Sequence, residues 1–312
     1  MANVAAGTTW NLPNYVGELY TADQINSPFL SMLGGLSGGK QTDNFEFPVS
    51  SEYDQETASQ PAITETASLT APTAISYVTD QSKNVTQIFQ EQVSLSYEKL
   101  ANSGRLSGIN TAGQQPNIND QMTWQKARAL EKISRDVDYT FLNGTYQIAT
   151  GVGVANKTRG MFANCTVNTV AAGSAYLTKA MVNELLLEMY TNGALFRNMV
   201  LWCNGFQKQR ISDLYAYAPE SRNVGGYNID QIETDFGAIG IKTDRFVPTT
   251  SIGIFDMANL SAVFQPVPAK GNLFYETLSK TGAAESGQIF GKIGLDHGAA
   301  FLHGSITGLL DS

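Results

Sequence analysis

Two histidines, two cysteines and a glycine-rich turn ahead of a lysine are the residues of this chain best placed to do chemistry. Gly34-Gly-Leu-Ser-Gly-Gly39-Lys40 matches the GxxxxGK part of a phosphate-binding loop. Such a loop needs a strand before it, a helix after it, and a Ser or Thr behind the lysine to meet magnesium. Here Gln41 follows the lysine, Pro28 interrupts the approach, and Asp43, Glu46 and Pro48 oppose a helix behind it. The stretch reads as a turn or hinge. Gly151-Val-Gly153 opens a dinucleotide fingerprint, but Asn156 stands where the third glycine is needed.

His297 and His303 are six residues apart, which suits one strand face and no helix face. Asp296 would point away from His297 on a strand, so a metal or acid–base site lacks a third member. The expectation is polar surface or interface histidines. Glu184 and Glu188 share a helix face as half of a carboxylate metal site does, but the matching Glu-x-x-His helix is missing. They read as a solvated face. Cys165 and Cys203 are too distant for a CxxC pair and read as buried filler. Asp136 and Asp138 do not face together on a helix, and nothing selects a carboxylate pair for glycosidic hydrolysis. Trp10, Trp124 and Trp202 are scattered and form no stacking stripe. No catalytic, cofactor or metal site is expected, and the chain does not read as an enzyme.

The elements that would carry these residues belong to a chain of 312 residues, 42% hydrophobic and only 15% charged, with a net charge of −8. Length allows one large domain or two ordinary ones. The low charge fits a surface covered by neighbours, and equally an ordinary charge-poor monomer. Tight DNA binders concentrate Lys and Arg against phosphates, and this chain does not, which excludes sequence-specific DNA recognition but not loose containment. No apolar run reaches membrane-spanning length. The expectation is folding in a cytoplasm without a membrane partner.

Residues 1–44 read as an arm broken by Pro13 and Pro28, with Phe29 and Leu30 as apolar anchors. Phe45–Val49 alternates as a strand, residues 54–74 are too polar to build a core, and Phe89, Val93, Leu95 and Tyr97 recur at period two. Together they predict a long protruding hairpin. Asn119–Asn143 is the clearest helix, with Trp124, Ala127, Leu130, Ile133, Val137 and Phe141 as its apolar stripe. Thr178 caps a second helix with Met181, Leu185, Leu186 and Met189 inward. Asn198–Asn204 reads as a buried strand, Phe206–Tyr217 as a short helix, residues 227–256 as strand-rich, and Gln288–Leu295 as a final strand.

In its order of features the chain resembles the major capsid proteins of tailed phages with the HK97-type fold, within the SU10-like major head protein group. Leu12-Pro-Asn-Tyr-Val-Gly-Glu-Leu19 and Asn26-Ser-Pro-Phe-Leu30 resemble that group's arm, and Asn84-Val-Thr-Gln-Ile-Phe89 its returning hairpin strand. Lys126–Asn143 resembles its spine helix. Phe274–Leu278, Lys280-Thr-Gly282, Gly291-Lys-Ile-Gly-Leu295 and His303-Gly-Ser-Ile306 resemble its C-terminal pattern.

The resemblance implies an α+β fold with an N-terminal arm (1–44), an extended loop (45–98), a peripheral domain around the spine helix (99–165 and 265–312) and an α/β axial domain (166–264). It implies homo-hexamers and homo-pentamers, a portal protein, packaged double-stranded DNA held without sequence recognition, and separate scaffold and cement proteins. The shell would form in a bacterial host's cytoplasm and become part of the virion. Phe29, Leu30, Phe89 and Tyr97 are the expected assembly contacts, and Trp124, Leu130, Ile133, Val137 and Phe141 the expected spine core. No cofactor is implied. The rival readings are a hydrolase or transferase with an unrecognised acidic site, and a tube or fibre subunit.

Overall fold

The computed structural model describes residues 26–53, 57–101, 121–215, 230–280 and 282–311. The expected motif Leu12–Leu19, Pro13, Trp10 and the rest of the arm ahead of Asn26 lie outside the described residues. Helix α1 (Pro28–Met32) begins at a proline, whose missing N–H costs nothing in a first helical turn. Strands β1 (Lys40–Gln41) and β2 (Glu46–Tyr53), helix α2 (Glu65–Ser68), strands β3 (Thr79–Val85) and β4 (Gln87–Ser96) and helix α3 (Tyr97–Ala101) follow. Next come α4 (Gln121–Asn143), α5 (Met161–Asn164), β5 (Asn168–Ala175), α6 (Lys179–Thr191), β6 (Met199–Cys203) and α7 (Gly205–Tyr215). The chain finishes with β7 (Gln231–Thr234), β8 (Gly237–Thr243), β9 (Ile252–Asp256), β10 (Ser261–Phe264), β11 (Leu273–Thr277), β12 (Ala284–Asp296) and β13 (Gly304–Leu309).

Among the described residues the strands form two large sheets and one ribbon. The first sheet is organised on the long β12, which pairs antiparallel with β4 on one side and with β11 and β10 on the other. β1 adds parallel to β10. The second sheet has the order β5-β13-β9-β6-β8-β7. The ribbon is β2 with β3 alone.

Two cores result, and strand β6 belongs to both. Val200 and Trp202 point into the core shared with α1, α4, α5 and β12, whereas Met199, Leu201 and Cys203 point into the core under α6 and α7. β9 divides likewise: Phe255 joins the first core, Ile252 and Ile254 the second. Side chains alternate across a strand, so a strand buried on both faces must be a continuous apolar run, as Met199–Cys203 is.

The expected boundary near residue 265 is crossed in both directions. β10 lies in the first sheet with β12, and β13 lies in the second between β5 and β9. The expected hairpin of residues 45–98 is also shorter than its sequence pattern implied. Only β2 and β3 form the ribbon; β4 leaves it to pair with β12 from Gln87↔Ile293 to Ser96↔Ala284. The alternating Phe89, Val93 and Leu95 are buried because β4, paired on one side with β12, turns one face to the covered side of the sheet on which α4 lies.

Helix α4 lies on β4 and β12, with Lys126 Nζ 4.1 Å from the centroid of the Tyr275 ring. Its buried side chains are Ile133, Val137, Asp138, Phe141 and Leu142. Leu130 is a correction: it is 40% exposed. Trp124 is only half-buried, with the Arg128 guanidinium 5.8 Å from its ring. The packed stripe therefore occupies the C-terminal half of the helix, where α1 and α5 also press on it. Ile133→Ala should accordingly lose about 2–5 kcal/mol in denaturant unfolding, whereas Leu130→Ala should lose no more than about 1 kcal/mol. Equal losses for the two would contradict this placement of the stripe.

Candidate functional site

The side chains whose types could do chemistry are taken up by structure. The Gly34–Gly39 segment is preceded by helix α1 and followed by the strand pair β1–β10, the reverse of a phosphate-binding loop's order. Its glycines serve close approach. Gly39 has φ of 142°, and a Cβ there would sit 2.3 Å from the Ala262 carbonyl oxygen; one on Gly38 would sit 2.8 Å from that of Gly34. Lys40 pairs instead with Asp296, Nζ to Oδ2 at 2.5 Å.

His297 and His303 were expected at a surface or interface, and both are fully buried. They do not share a strand, because β12 ends at Asp296 and β13 starts at Gly304. His303 Nδ1 accepts from the Asp256 N–H at 3.1 Å, which makes Nε2 the donor to the His297 carbonyl at 2.8 Å. His297 Nδ1 lies 2.9 Å from the Gly298 carbonyl. Burial holds both imidazoles down at about 4. Cys165 and Cys203 are free and buried, and burial pushes both thiols up to about 12. Among the described residues no group of three His, Cys, Asp or Glu side chains is arranged to hold a metal ion.

Of the four expected assembly contacts, three lie inside the chain's own core. Phe29 is edge-on to Trp202 at 5.1 Å and to Phe255 at 6.3 Å. Leu30 donates its N–H to Asp138 Oδ1 at 2.6 Å, and Phe89 is buried under α4. A side chain already desolvated in its own core has no surface to offer a neighbour. Tyr97, at the start of α3, is 39% exposed, with Lys280 Nζ 5.4 Å from its ring centroid.

A run of exposed apolar side chains lies on the loop between β2 and β3. Every described residue from 57 to 81 is exposed, including Ile63, Ile75, Tyr77, Val78 and Leu69, the last at 84%. A two-stranded ribbon is marginal in water by itself. Its base, however, is fixed to the body. Asn84 is fully buried and satisfied on both ends: Nδ2 donates to the Leu295 carbonyl at 2.7 Å and the Arg159 carbonyl at 3.2 Å. Its Oδ1 accepts from the N–H groups of Val85 and Arg159 at 2.9 and 2.8 Å. Phe47 lies on Gly294, where a Cβ would meet its ring at 2.9 Å. The sequence signal for this clamp was slight: an Asn at the end of a β run and a glycine in β12.

Beside that base opens a cleft of about 420 Å³ lined by Phe45, Ile88, Val152, Val154, Lys157 and Lys292, with neighbouring polar groups. Among the described residues neither lysine is within ion-pair distance of a carboxylate. The intervening sequence 41–82 contains Asp43, Glu46, Glu52, Asp54, Glu56, Glu65 and Asp80 and neither Lys nor Arg. Among the described residues the chain thus presents an exposed apolar loop and, beside its base, a cleft with two lysines outside any ion pair.

A sheet organised on one long strand, a spine helix across it, a second mixed sheet and an outlying ribbon together make the HK97-type capsid fold. Solved structures bear this out. The chain is similar to the capsid of cyanophage A-1(L), with a TM-score of 0.68 and 11% identity over 96% of this chain and 97% of that one. It is similar to the capsid of a native GTA particle, at 0.62 and 13% over 99% of each chain. It is also similar to the SrpI encapsulin of Synechococcus elongatus PCC 7942, at 0.57 and 10% over 95% and 94%. No curated protein matches by sequence. The chain belongs to the SU10 major capsid protein family, whose model matches residues 2–310. It is a major capsid protein, a structural subunit of a virion shell that self-assembles into capsomers.

The histidine cluster makes a pH prediction. Each imidazole titrates at about 4 in the fold and near 6.5 when unfolded. Between those values the unfolded chain binds more protons, so stability is complete above about pH 6.5 and declines as pH falls towards 4. The loss should reach roughly 3 kcal/mol per histidine, measured as a falling melting temperature of the unassembled chain. His303→Gln should remove part of that acid sensitivity; an unchanged pH profile would count against this account.

Proposed function

We propose that copies of this chain form homo-hexamers and homo-pentamers that close into an icosahedral shell around double-stranded DNA, without reading its sequence. The observation that supports the reading is the β2–β3 loop: it is anchored at its base, and every described residue from 57 to 81 is exposed, apolar side chains included. An acidic apolar loop and a cationic apolar cleft on different parts of one surface make a head-to-tail contact, and head-to-tail contacts close into rings when the rotation permits. On this reading the loop of one copy lies across its neighbour, the Lys157–Lys292 cleft receives part of it, and Tyr97 joins the contact. The loop's lack of cations also keeps it from folding onto DNA instead.

The division of labour follows. Residues 1–44 are the arm, 45–85 the free loop, the β12 sheet with α4 the peripheral domain, and the β6 sheet with α6 and α7 the axial domain around the symmetry axes. A portal protein occupies one vertex, and separate scaffold and cement proteins set size and strengthen the shell. Assembly takes place in the cytoplasm of a bacterial host. No described helix is long and apolar enough to cross a membrane.

Electron microscopy of the purified protein should show closed shells or capsomers, where tubes or monodisperse monomers would overturn the proposal. Replacing Ile63, Leu69 and Ile75 together by Ser should leave the monomer's melting within about 0.5 kcal/mol of wild type, since these side chains are exposed. Assembly yield should fall by about tenfold or more, each lost contact repeating around a ring. Lys157→Glu with Lys292→Glu should weaken assembly, and raised salt should weaken the wild type in the same direction. Assembly indifferent to both lysines would remove the cleft from the contact.

A further inference from the structure

Strand β4 is ten residues long, and among the described residues one of its two sides has no partner strand. Its pairing with β12 decides which main-chain groups are left over. Tyr97, directly after β4, gives its N–H to the Ala283 carbonyl at 3.0 Å, so Tyr97 faces β12. The N–H and C=O of one residue point to the same side of a strand, and the side alternates along the chain. Every second residue back from Tyr97, from Leu95 to Gln87, therefore faces β12 as well. Ile88, Gln90, Gln92, Ser94 and Ser96 turn their N–H and C=O groups outward. The far side of β12 agrees: the carbonyls of Ser286 and Lys292, opposite Ser94 and Ile88, accept from Leu278 and Gln265 instead of from β4.

This edge is unguarded. Long sheet edges are usually blunted by charges, prolines or bulges. The five outward residues carry no charge and no proline, and the ladder between β4 and β12 runs without a register shift. Glu91, the one charged residue of the strand, pairs with Lys132 of α4. Other edges are treated differently: β2 carries Glu46, Pro48 and Glu52, and both its ladder with β3 and that of β5 with β13 contain a register shift. The edge also has a telling position. It begins at Ile88, which lines the cleft of Lys157 and Lys292, and ends at Tyr97.

The same chain holds a strand-former without a sheet. Residues 73–78, Thr-Ala-Ile-Ser-Tyr-Val, are mostly β-branched or aromatic. All six are exposed, and among the described residues their main chain makes no hydrogen bond. Extended, they cover about 20 Å, against about 27 Å from Ile88 to Ser96. They cannot easily serve their own copy. β3 is paired with β2 along its length and does not run alongside β4, so it carries residues 73–78 about 24 Å from the start of β4.

We propose that residues 73–78 of one copy add as a strand to the outer edge of β4 in a second copy. This rests on the loop contact proposed above and gives it a mechanism and a register. Strand addition takes its affinity from main-chain bonds, which suits an edge of Gln and Ser, and its specificity from alternate side chains, here Ile75 and Tyr77 on one face. The added strand runs between the cleft and Tyr97, joining the two ends of the contact.

The test is residue-resolved amide hydrogen exchange in the unassembled full-length chain and in assembled particles. In the unassembled chain Gln90, Gln92, Ser94 and Ser96 should exchange fast, while Glu91, Val93 and Leu95 are protected by β12. In particles the first four should slow by about a hundredfold, together with alternate residues of 73–78. Gln92→Pro removes only an outward N–H, which an edge strand tolerates. It should lower assembly about tenfold or more and leave the melting of the unassembled chain near wild type, whereas Gln92→Ala should assemble normally. Particles in which Gln90, Gln92 and Ser94 still exchange fast would overturn strand addition and leave the loop contact standing; a chain that forms no particles or capsomers would overturn both. The wild-type exchange pattern decides even if Gln92→Pro does not fold.

Discussion

Strand β6 has no face to water, and the rest of the architecture is arranged around that constraint. Five consecutive buried residues on one short strand can be accommodated only if both sides of the second sheet are covered. Helices α6 and α7 cover one side. The other is covered by the spine helix assembly, reached through Val200 and Trp202, and closed by Phe29 from α1. Burying a large side chain fully contributes about 1.5–3 kcal/mol, and a T-shaped ring pair adds about 0.5–1.5 kcal/mol. Phe29, Trp202 and Phe255 form two such ring pairs at one place, so the two sheets hold each other in register through a small aromatic group.

Against that compact body the β2–β3 loop is a deliberate exception. A lone chain gains nothing from exposed Ile63, Leu69 and Ile75, and a ribbon of two strands is not stable for its own sake. The tight satisfaction of Asn84 and the seat of Phe47 on Gly294 show that the chain invests order in the loop's base. The proposed contact between copies would give the reason.

Much of this was legible in residue patterns. The period of three to four across Ile133, Val137 and Phe141 located the spine helix, Thr178 marked the start of α6, and the unbroken run Met199–Cys203 marked the doubly buried strand. Periodicity identifies a face but not what covers it. Leu130 sits on the same apolar stripe as Ile133, yet the packing elements α1 and α5 reach only the later turns. β4 alternates as a hairpin arm would, and nothing local tells that its partner is β12, more than a hundred residues away. Phe29 and Leu30, in a glycine- and proline-bounded segment, read as free anchors because the pocket that receives them is assembled from β6, β9 and α4. The histidine cluster was invisible for the same reason: its groups are brought together only by the closed fold.

The shared strand also sets how load travels. A subunit with two cores separated by a linker can yield at the seam. Here the seam is a strand whose alternate side chains are rooted in opposite cores, and β9 beside it is divided in the same way. A pull on the ribbon's base passes through Asn84 to the end of β12, then through the first core and its aromatic group into β6. The body should respond as a stiff plate with a compliant flap, and strain between unlike positions in a lattice should collect in the flap.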